Sequence, residues 1–259
     1  MRLLVTALAL LLLSVTALAQ GQAPKAGEGT RVTWLGHAAF LVQTPAGANL
    51  LIDPWLQNPK APKNFQLPQT LDAVLVSHGH ADHVGDAVNL ARTGGAKLVA
   101  VNELVQLLGW DQMGANVGGR FTFKDATVHI VEAVHSSSYA AKEGQPAQYA
   151  GGPVGFVIEI ANGPTLYHAG DTGLFQGMEL IGRQHRIDVA LLPIGGNFTM
   201  GPDDAAVAAG LLGAKTVVPM HFGTFPVLTG TPEQLRDALG RQKGKAKMQL
   251  LEPGKALRP

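Results

Sequence analysis

Ser77-His78-Gly79-His80-Ala81-Asp82-His83 follows directly on the apolar run Leu71-Asp72-Ala73-Val74-Leu75-Val76. A short run of branched aliphatic residues reads as a buried strand, so the motif sits at a strand's carboxyl end. It packs three imidazoles and one carboxylate into six consecutive residues, 78–83. These are ligand types for zinc and neighbouring divalent metals. His78 and His80, one residue apart, can grip one ion, while Asp82 and His83 fall on the next turn and can face a second. Scattered histidines are mostly surface or core residues, but this density points to a metal centre.

Other candidates recur at the same topological place. His135 ends a strand expected at 127–134, Asp171 follows one at 165–168 through Ala169-Gly170, and His221 ends one at 216–220. In open α/β architectures sites gather beyond the carboxyl ends of strands, where loops converge. That shared position groups all three with the 78–83 motif.

With these residues in this order the chain resembles the metallo-β-lactamase superfamily. The match consists of His78-Gly79-His80-Ala81-Asp82-His83, His135, Asp171 within Ala169-Gly170-Asp171-Thr172-Gly173, and His221. The resemblance implies an αββα sandwich, two sheets flanked by helices, with a two-metal site at one sheet edge. It implies a first ion on His78, His80 and His135, a second on Asp82, His83 and His221, and Asp171 bridging both. More narrowly, the chain is similar to metal-dependent hydrolases related to the ascorbate-6-phosphate lactonases. That likeness rests on Trp34-Leu35-Gly36-His37, Ile52-Asp53-Pro54, the stretch 193–200 and the stretch 219–226.

Two ions sharing a carboxylate lower the pKa of a bound water and polarise a scissile carbonyl or phosphoryl group. Asp82 is the expected catalytic residue, orienting the attacking oxygen and passing a proton to the leaving group. The expected activity is hydrolysis of an ester, lactone or phosphoester bond in a small molecule. β-Lactam hydrolysis and metal binding without turnover are the alternatives. Nitrogen-rich ligation suits zinc, and manganese or iron tolerate the same set. His37, Asn197 and Thr199 are candidates for touching substrate, and His168 for orienting a ligand. His129 and His185 are not expected to bind metal, and Ser136 to Ser138 lack a nucleophile elbow.

The N-terminus reads as a secretory signal peptide, 1–19: Met1-Arg2, an apolar stretch from Leu3 to Leu13 broken only by Thr6, then Ala17-Leu18-Ala19. The expected location is periplasmic or secreted, with one hydrolase domain over 20–259. Removing the leader takes away Arg2 and no acid, leaving 19 basic and 19 acidic side chains. That balance gives no electrostatic case for nucleic acid or an anionic membrane. The chain has no cysteine, which excludes disulfides and thiolate zinc sites.

The rest of the chain alternates strand and helix signals. A strand over 32–43 carries an interruption at Gly36-His37, and a hairpin through 45–48 returns at 49–53. Four prolines make 54–68 an irregular loop. Further strands are expected at 97–101, 121–123, 154–160 and 189–194, with a hairpin turn at Asn162-Gly163. Helices are expected at 83–91, 103–108, 202–212 and 232–239, the last capped by Thr231. The small, polar stretch 136–152 reads as an unstructured loop beside the site, of the kind that closes over ligands.

Overall fold

The computed structural model of the protein describes residues 29–142, 144–242, 244 and 246–259; the expected leader lies outside the described residues. The first sheet begins with β1 (Arg31–Trp34), β2 (Phe40–Gln43) and β3 (Asn49–Ile52), paired antiparallel in sequence. β4 (Ala73–Leu75) and β5 (Lys97–Val99) extend it in parallel, and the last strand, β15 (Ala256–Leu257), joins β1 at the other edge. The second sheet runs β14 (Lys247–Met248), β13 (Thr216–Met220), β12 (Val189–Pro193), β11 (Thr165–His168), β10 (Val154–Ile160), β7 (Ala126–Glu132), β6 (Arg120–Phe123). Its β11 to β14 are parallel, and β6, β7, β10 and β11 pair antiparallel.

β4, β12 and nearly all of β10 are buried on both faces, which is why they read as continuous apolar runs rather than alternating ones. β6, at a sheet edge, alternates between exposed and half-buried. Helix α2 (Ala87–Gly94) packs on β4 and β5, while α5 (Pro202–Leu211) covers β12 and packs on α6 (Pro232–Arg241), which covers β14. The result is two mixed sheets flanked by helices, the expected αββα sandwich. Thr231 caps α6 in a reciprocal capping box with Gln234.

Several elements differ from the sequence reading. The interrupted strand at 32–43 is a hairpin: Arg31 pairs with Gln43 and Trp34 with Phe40. Gly36 and His37 both adopt positive φ (88° and 51°) and turn the chain back, so the interruption is a reversal. The helix expected at 83–91 is two pieces, α1 (Ala81–Val84) and α2. Gly85 separates them at φ 40°, with the place of a Cβ only 2.6 Å from Trp55 Cα, so only glycine fits against the Trp55 loop. Helix α3 (Asn102–Leu107) falls where expected, but α4 (Gly177–His185) was unforeseen. The stretch 136–152 holds a two-stranded ribbon, β8 (Ser138–Tyr139) with β9 (Gln148–Tyr149). No helix among the described residues is long and apolar enough to cross a membrane.

The two sheets are tied together at the end where the expected ligands lie. The carbonyl of His37, in the β1–β2 turn, accepts from Trp34 Nε1 (2.9 Å) and from the His221 backbone N–H at the end of β13 (3.1 Å). Trp34 also stacks on Phe222, ring centres 5.5 Å apart. One turn of the first sheet therefore positions a strand end of the second.

Candidate metal centre

The strand-end candidates converge. His78, His80 and His135 bring ligand atoms within 4.8 Å of one another; so do His78, His83 and Asp171, and so do His37, Asp82, His83 and His221. Asp171 stands between these groups. Its Oδ1 lies 3.3 Å from His83 Nε2, and its Oδ2 lies 3.1 Å from His221 Nε2 and 3.7 Å from His135 Nε2. The Ala169-Gly170-Asp171 turn reaches this point because residue 170 is glycine (φ 59°): a Cβ there would lie 2.7 Å from the Val154 carbonyl oxygen and collide. His168 holds that turn from behind: its Nε2–H donates to the Ala38 carbonyl, 2.9 Å, and its Nδ1 accepts from the Gly170 N–H, 3.1 Å.

Asp53, at the end of β3, sets the proton positions of two candidate ligands. It is fully buried and only accepts: from Ser77 N–H and Ser77 Oγ–H, both 2.7 Å, and from His83 Nδ1, 2.8 Å. His83 therefore carries its proton on Nδ1 and turns Nε2 toward Asp171. The Ser77 hydroxyl, committed to Asp53, accepts from His78 Nδ1–H at 3.0 Å, which leaves His78 Nε2 bare. Nε2 of His78 faces His80 Nδ1 at 2.9 Å, as two nitrogens sharing one cation would. Such outer partners fix tautomer and ring orientation in metal sites. The sequence reading did not single out Asp53 as a site residue. The signal was present, since a carboxylate at the end of a strand beside β4 meets the same positional rule as Asp171.

His37 is placed differently from expectation. It is fully buried, outside the cavity wall, and its Nε2 lies 3.1 Å from Asp82 Oδ2. Burial lowers its pKa to about 4. It is thus neutral, donates from Nε2 to the accept-only carboxylate, and accepts at Nδ1 from Thr224 Oγ–H, 2.7 Å away. Its place is behind Asp82 rather than on the cavity lining. Asn197 and Thr199 also miss the cavity: Asn197 turns the chain at φ 58° and Thr199 Oγ1 bonds the Met200 carbonyl. Phe198, between them, lines it instead. From the 136–152 stretch, Ser136 lines the cavity and Ser137 Oγ accepts from Gly79 N–H, so the base of the ribbon abuts the motif.

The electrostatics favour added positive charge. Burial would raise the Asp171 carboxyl, but His83 and His221 outweigh it and hold its pKa well below the usual range. Burial would discharge His83, yet Asp171 and Asp53 lift its pKa well above the ordinary imidazole value. Burial keeps His78, His80 and His135 low, as neutral ligands need to be. Eight buried side-chain N or O atoms lack a hydrogen-bond partner among the described residues, and four of them are His83 Nε2, Asp171 Oδ1 and both ring nitrogens of His221. Each such atom costs about 1–3 kcal/mol if left unpaired. Clustered imidazole and carboxylate donors of this kind fit divalent metal.

The site opens into a cavity of about 690 Å³ whose floor includes His80, Asp82, His135, Asp171 and His221. Residues 31–221, which include all seven candidate ligands, match the model of a beta-lactamase superfamily domain. A metal-dependent hydrolase of Myxococcus xanthus is 59% identical over 228 residues, covering 87% of this chain and 82% of the relative. One from Korarchaeum cryptofilum is 42% identical over 231 residues, covering 87% and 98%. Among solved structures, the metallo hydrolase Igni18 of Ignicoccus hospitalis superposes with TM-score 0.75 at 35% identity, covering 88% of this chain and 97% of that one. With fold, convergent ligands and these relatives in agreement, the chain belongs to the metallo-β-lactamase superfamily, as a metal-dependent hydrolase of the UPF0173 group.

Proposed function

We propose that the protein is an exported hydrolase with two divalent ions, zinc in the first instance, that adds water across an ester, lactone or phosphoester bond of a small molecule. The observation that carries this reading is the convergence of seven candidate ligands at one place, five of them on the cavity floor, with four buried polar atoms there that lack a well-formed hydrogen bond among the described residues. His78, His80 and His135 would hold one ion, and Asp82, His83 and His221 the other, with Asp171 shared. Ions held there would supply Lewis acidity, the chemistry that activates water near neutral pH and polarises a scissile bond.

The chain's own groups do the rest. Asp82, oriented by His37, lines the cavity and is aimed by a hydrogen bond at one oxygen, Oδ2. Its carboxylate takes the proton of the attacking water and returns it to the departing oxygen, so that hydroxide ends on the acyl carbon or phosphorus and the proton on the leaving group. Asp53 keeps His78 and His83 in the tautomers that ligation needs. Export is supported by the Met1 to Ala19 pattern.

Elemental analysis of the full-length protein, paired with ester, lactone, phosphodiester and β-lactam hydrolysis with and without chelator, tests the reading. Two ions per chain and chelator-sensitive turnover are expected. One ion or none at saturating metal in a folded sample would sink the two-ion assignment, and chelator-resistant turnover would sink the mechanism.

A further inference from the structure

One part of the cavity lining is an apolar wall. Trp55, Phe198, Phe225, Pro226 and Val227 form it, and among the described residues no lysine or arginine lines the cavity. Phe198 is 56% exposed, Phe225 36% and Val227 47%, in a chain whose core otherwise encloses most of its large hydrophobic side chains. Trp55 and Phe225 stack at 5.5 Å and 12°, and both meet the His37 ring edge-on at 5.1 and 5.7 Å. The wall is thereby braced on the same histidine that orients Asp82. Lys60, near the 221–226 turn, lies over the Phe222 ring, 5.0 Å from its centre, and does not reach the wall.

An anionic substrate needs a cation for the charge that the reacting centre does not neutralise, and in phosphate sites this is typically arginine or lysine. Among the described residues, the cavity lining provides no such side chain. Its volume suits a small molecule, since such pockets run to about 300–1,000 Å³ with mostly apolar linings and a few polar groups that fix orientation. Exposed aromatics gathered at one mouth mark a surface that an apolar partner covers.

We infer that the substrate is a neutral carboxylic ester or lactone carrying an apolar alkyl or aryl group, which lies against Trp55, Phe198 and Phe225 while its carbonyl faces the ligand floor. This rests on the hydrolase reading for the bond that reacts, and on the wall alone for the group that binds. Water adds across the acyl–oxygen bond, giving a carboxylic acid and an alcohol, or a hydroxy acid from a lactone, with no other reactant.

The test uses metal-loaded full-length protein. Along p-nitrophenyl acetate, butanoate and hexanoate, kcat/KM should rise about three- to fourfold per methylene buried. p-Nitrophenyl phosphate should be turned over at least about a hundredfold more slowly than the hexanoate, the loss of a missing charge partner. In Phe198→Ala, an exposed position where folding is not at stake, the hexanoate-to-acetate ratio should fall about tenfold. A non-reacting probe separates the two readings: N-hexylacetamide should bind more tightly than N-methylacetamide by calorimetry, and Phe198→Ala should narrow the difference about tenfold. A flat ester series, a preference for the phosphate, or equal binding of the two amides would overturn the inference. Tight binding of the hexyl amide without turnover of any ester or lactone would instead overturn the hydrolase reading and the bond named here, leaving only the apolar occupant.

Discussion

Histidines gather round a carboxylate in two places in this protein, and the two differ in what their polar atoms lack. On the outer side of β7 and β10, His129 Nε2 and His185 Nδ1 each lie 3.0 Å from an oxygen of Glu159, and the three residues are partly exposed. His129 and Glu159 are diagonal neighbours on one face of the β7–β10 pair, and His185 reaches them from the end of α4. Each histidine there is paired with its own oxygen of Glu159, and Arg120, opposite His129 on β6, adds positive charge to the same face. At the strand ends, by contrast, His83, Asp171 and His221 are buried, with the two imidazoles 3.3 and 3.1 Å from the carboxylate, yet four of their atoms lack a well-aligned hydrogen bond among the described residues. Proximity of ligand types is common to both clusters. Unsatisfied, desolvated donor atoms distinguish the one that fits a metal, because burial without a partner is costly unless a cation supplies it.

The contrast between the clusters is most severely tested by Asp171→Ala. Removing the carboxylate between His83 and His221 should cost about 3–5 kcal/mol in chemical denaturation, the usual loss when one member of a buried ionic cluster is deleted. Metal content should fall with it. A stability loss no larger than that of a surface substitution would mean that the cluster is not under the electrostatic load described here. Asp82→Asn should keep the fold and the His78, His80 and His135 group while turnover falls by about 10²–10⁴. Wild-type turnover in that variant would remove Asp82 from its assigned role.

Asp53→Asn probes the layer behind the ligands. It keeps the shape but replaces one accept-only oxygen with a donor, so His78 and His83 should lose their enforced tautomers and metal affinity should drop about 10- to 100-fold in competition with a chromophoric chelator. Unchanged affinity would make Asp53 purely structural. The smallest effect is expected at the outer cluster. His185→Ala should leave metal content and turnover as they are and change stability by no more than about 1 kcal/mol. Burial would raise the Glu159 carboxyl, but bonds from His185 and His129 outweigh it and lower its pKa from the usual 4.5. Its folded-state pKa being depressed, the contribution is present above that value and fades as pH falls through the lower one. Glu159→Gln should erase this small acid-side slope in thermal melts. A metal equivalent lost in His185→Ala would show that completed hydrogen bonds do not disqualify a site.

Much of the site was legible because its ligand types are local in sequence. His78, His80, Asp82 and His83 sit within one strand–turn segment, and Asp171 and His221 each stand just beyond the end of an apolar strand. The strands with unbroken apolar runs, such as Val189–Pro193 and Thr216–Met220, were legible for a related reason: burial on both faces leaves no polar alternation to confuse them. The Gly36-His37 reversal was misread because a tight turn between two short strands has the same local composition as a bulge within one. The short ribbon at 138–149 and the edge strands at 247–248 and 256–257 carry too few residues to show any period.

The chemistry of the centre and the α/β class are properties of the amino-acid order alone, since both depend on which residues succeed which along the chain. Which side chains stand behind the candidate ligands and which line the cavity became apparent only in three dimensions. Asp53 lies next to Ser77 and His83 because β3 and β4 pair in parallel, 24 and 30 residues apart in sequence. His37 meets Asp82 and Thr224 across two sheets, and Phe198 rather than Asn197 or Thr199 reaches the cavity because of how one turn is directed. Contacts between distant segments are set by strand pairing and by the packing of one sheet on another, and no window of neighbouring residues contains that information.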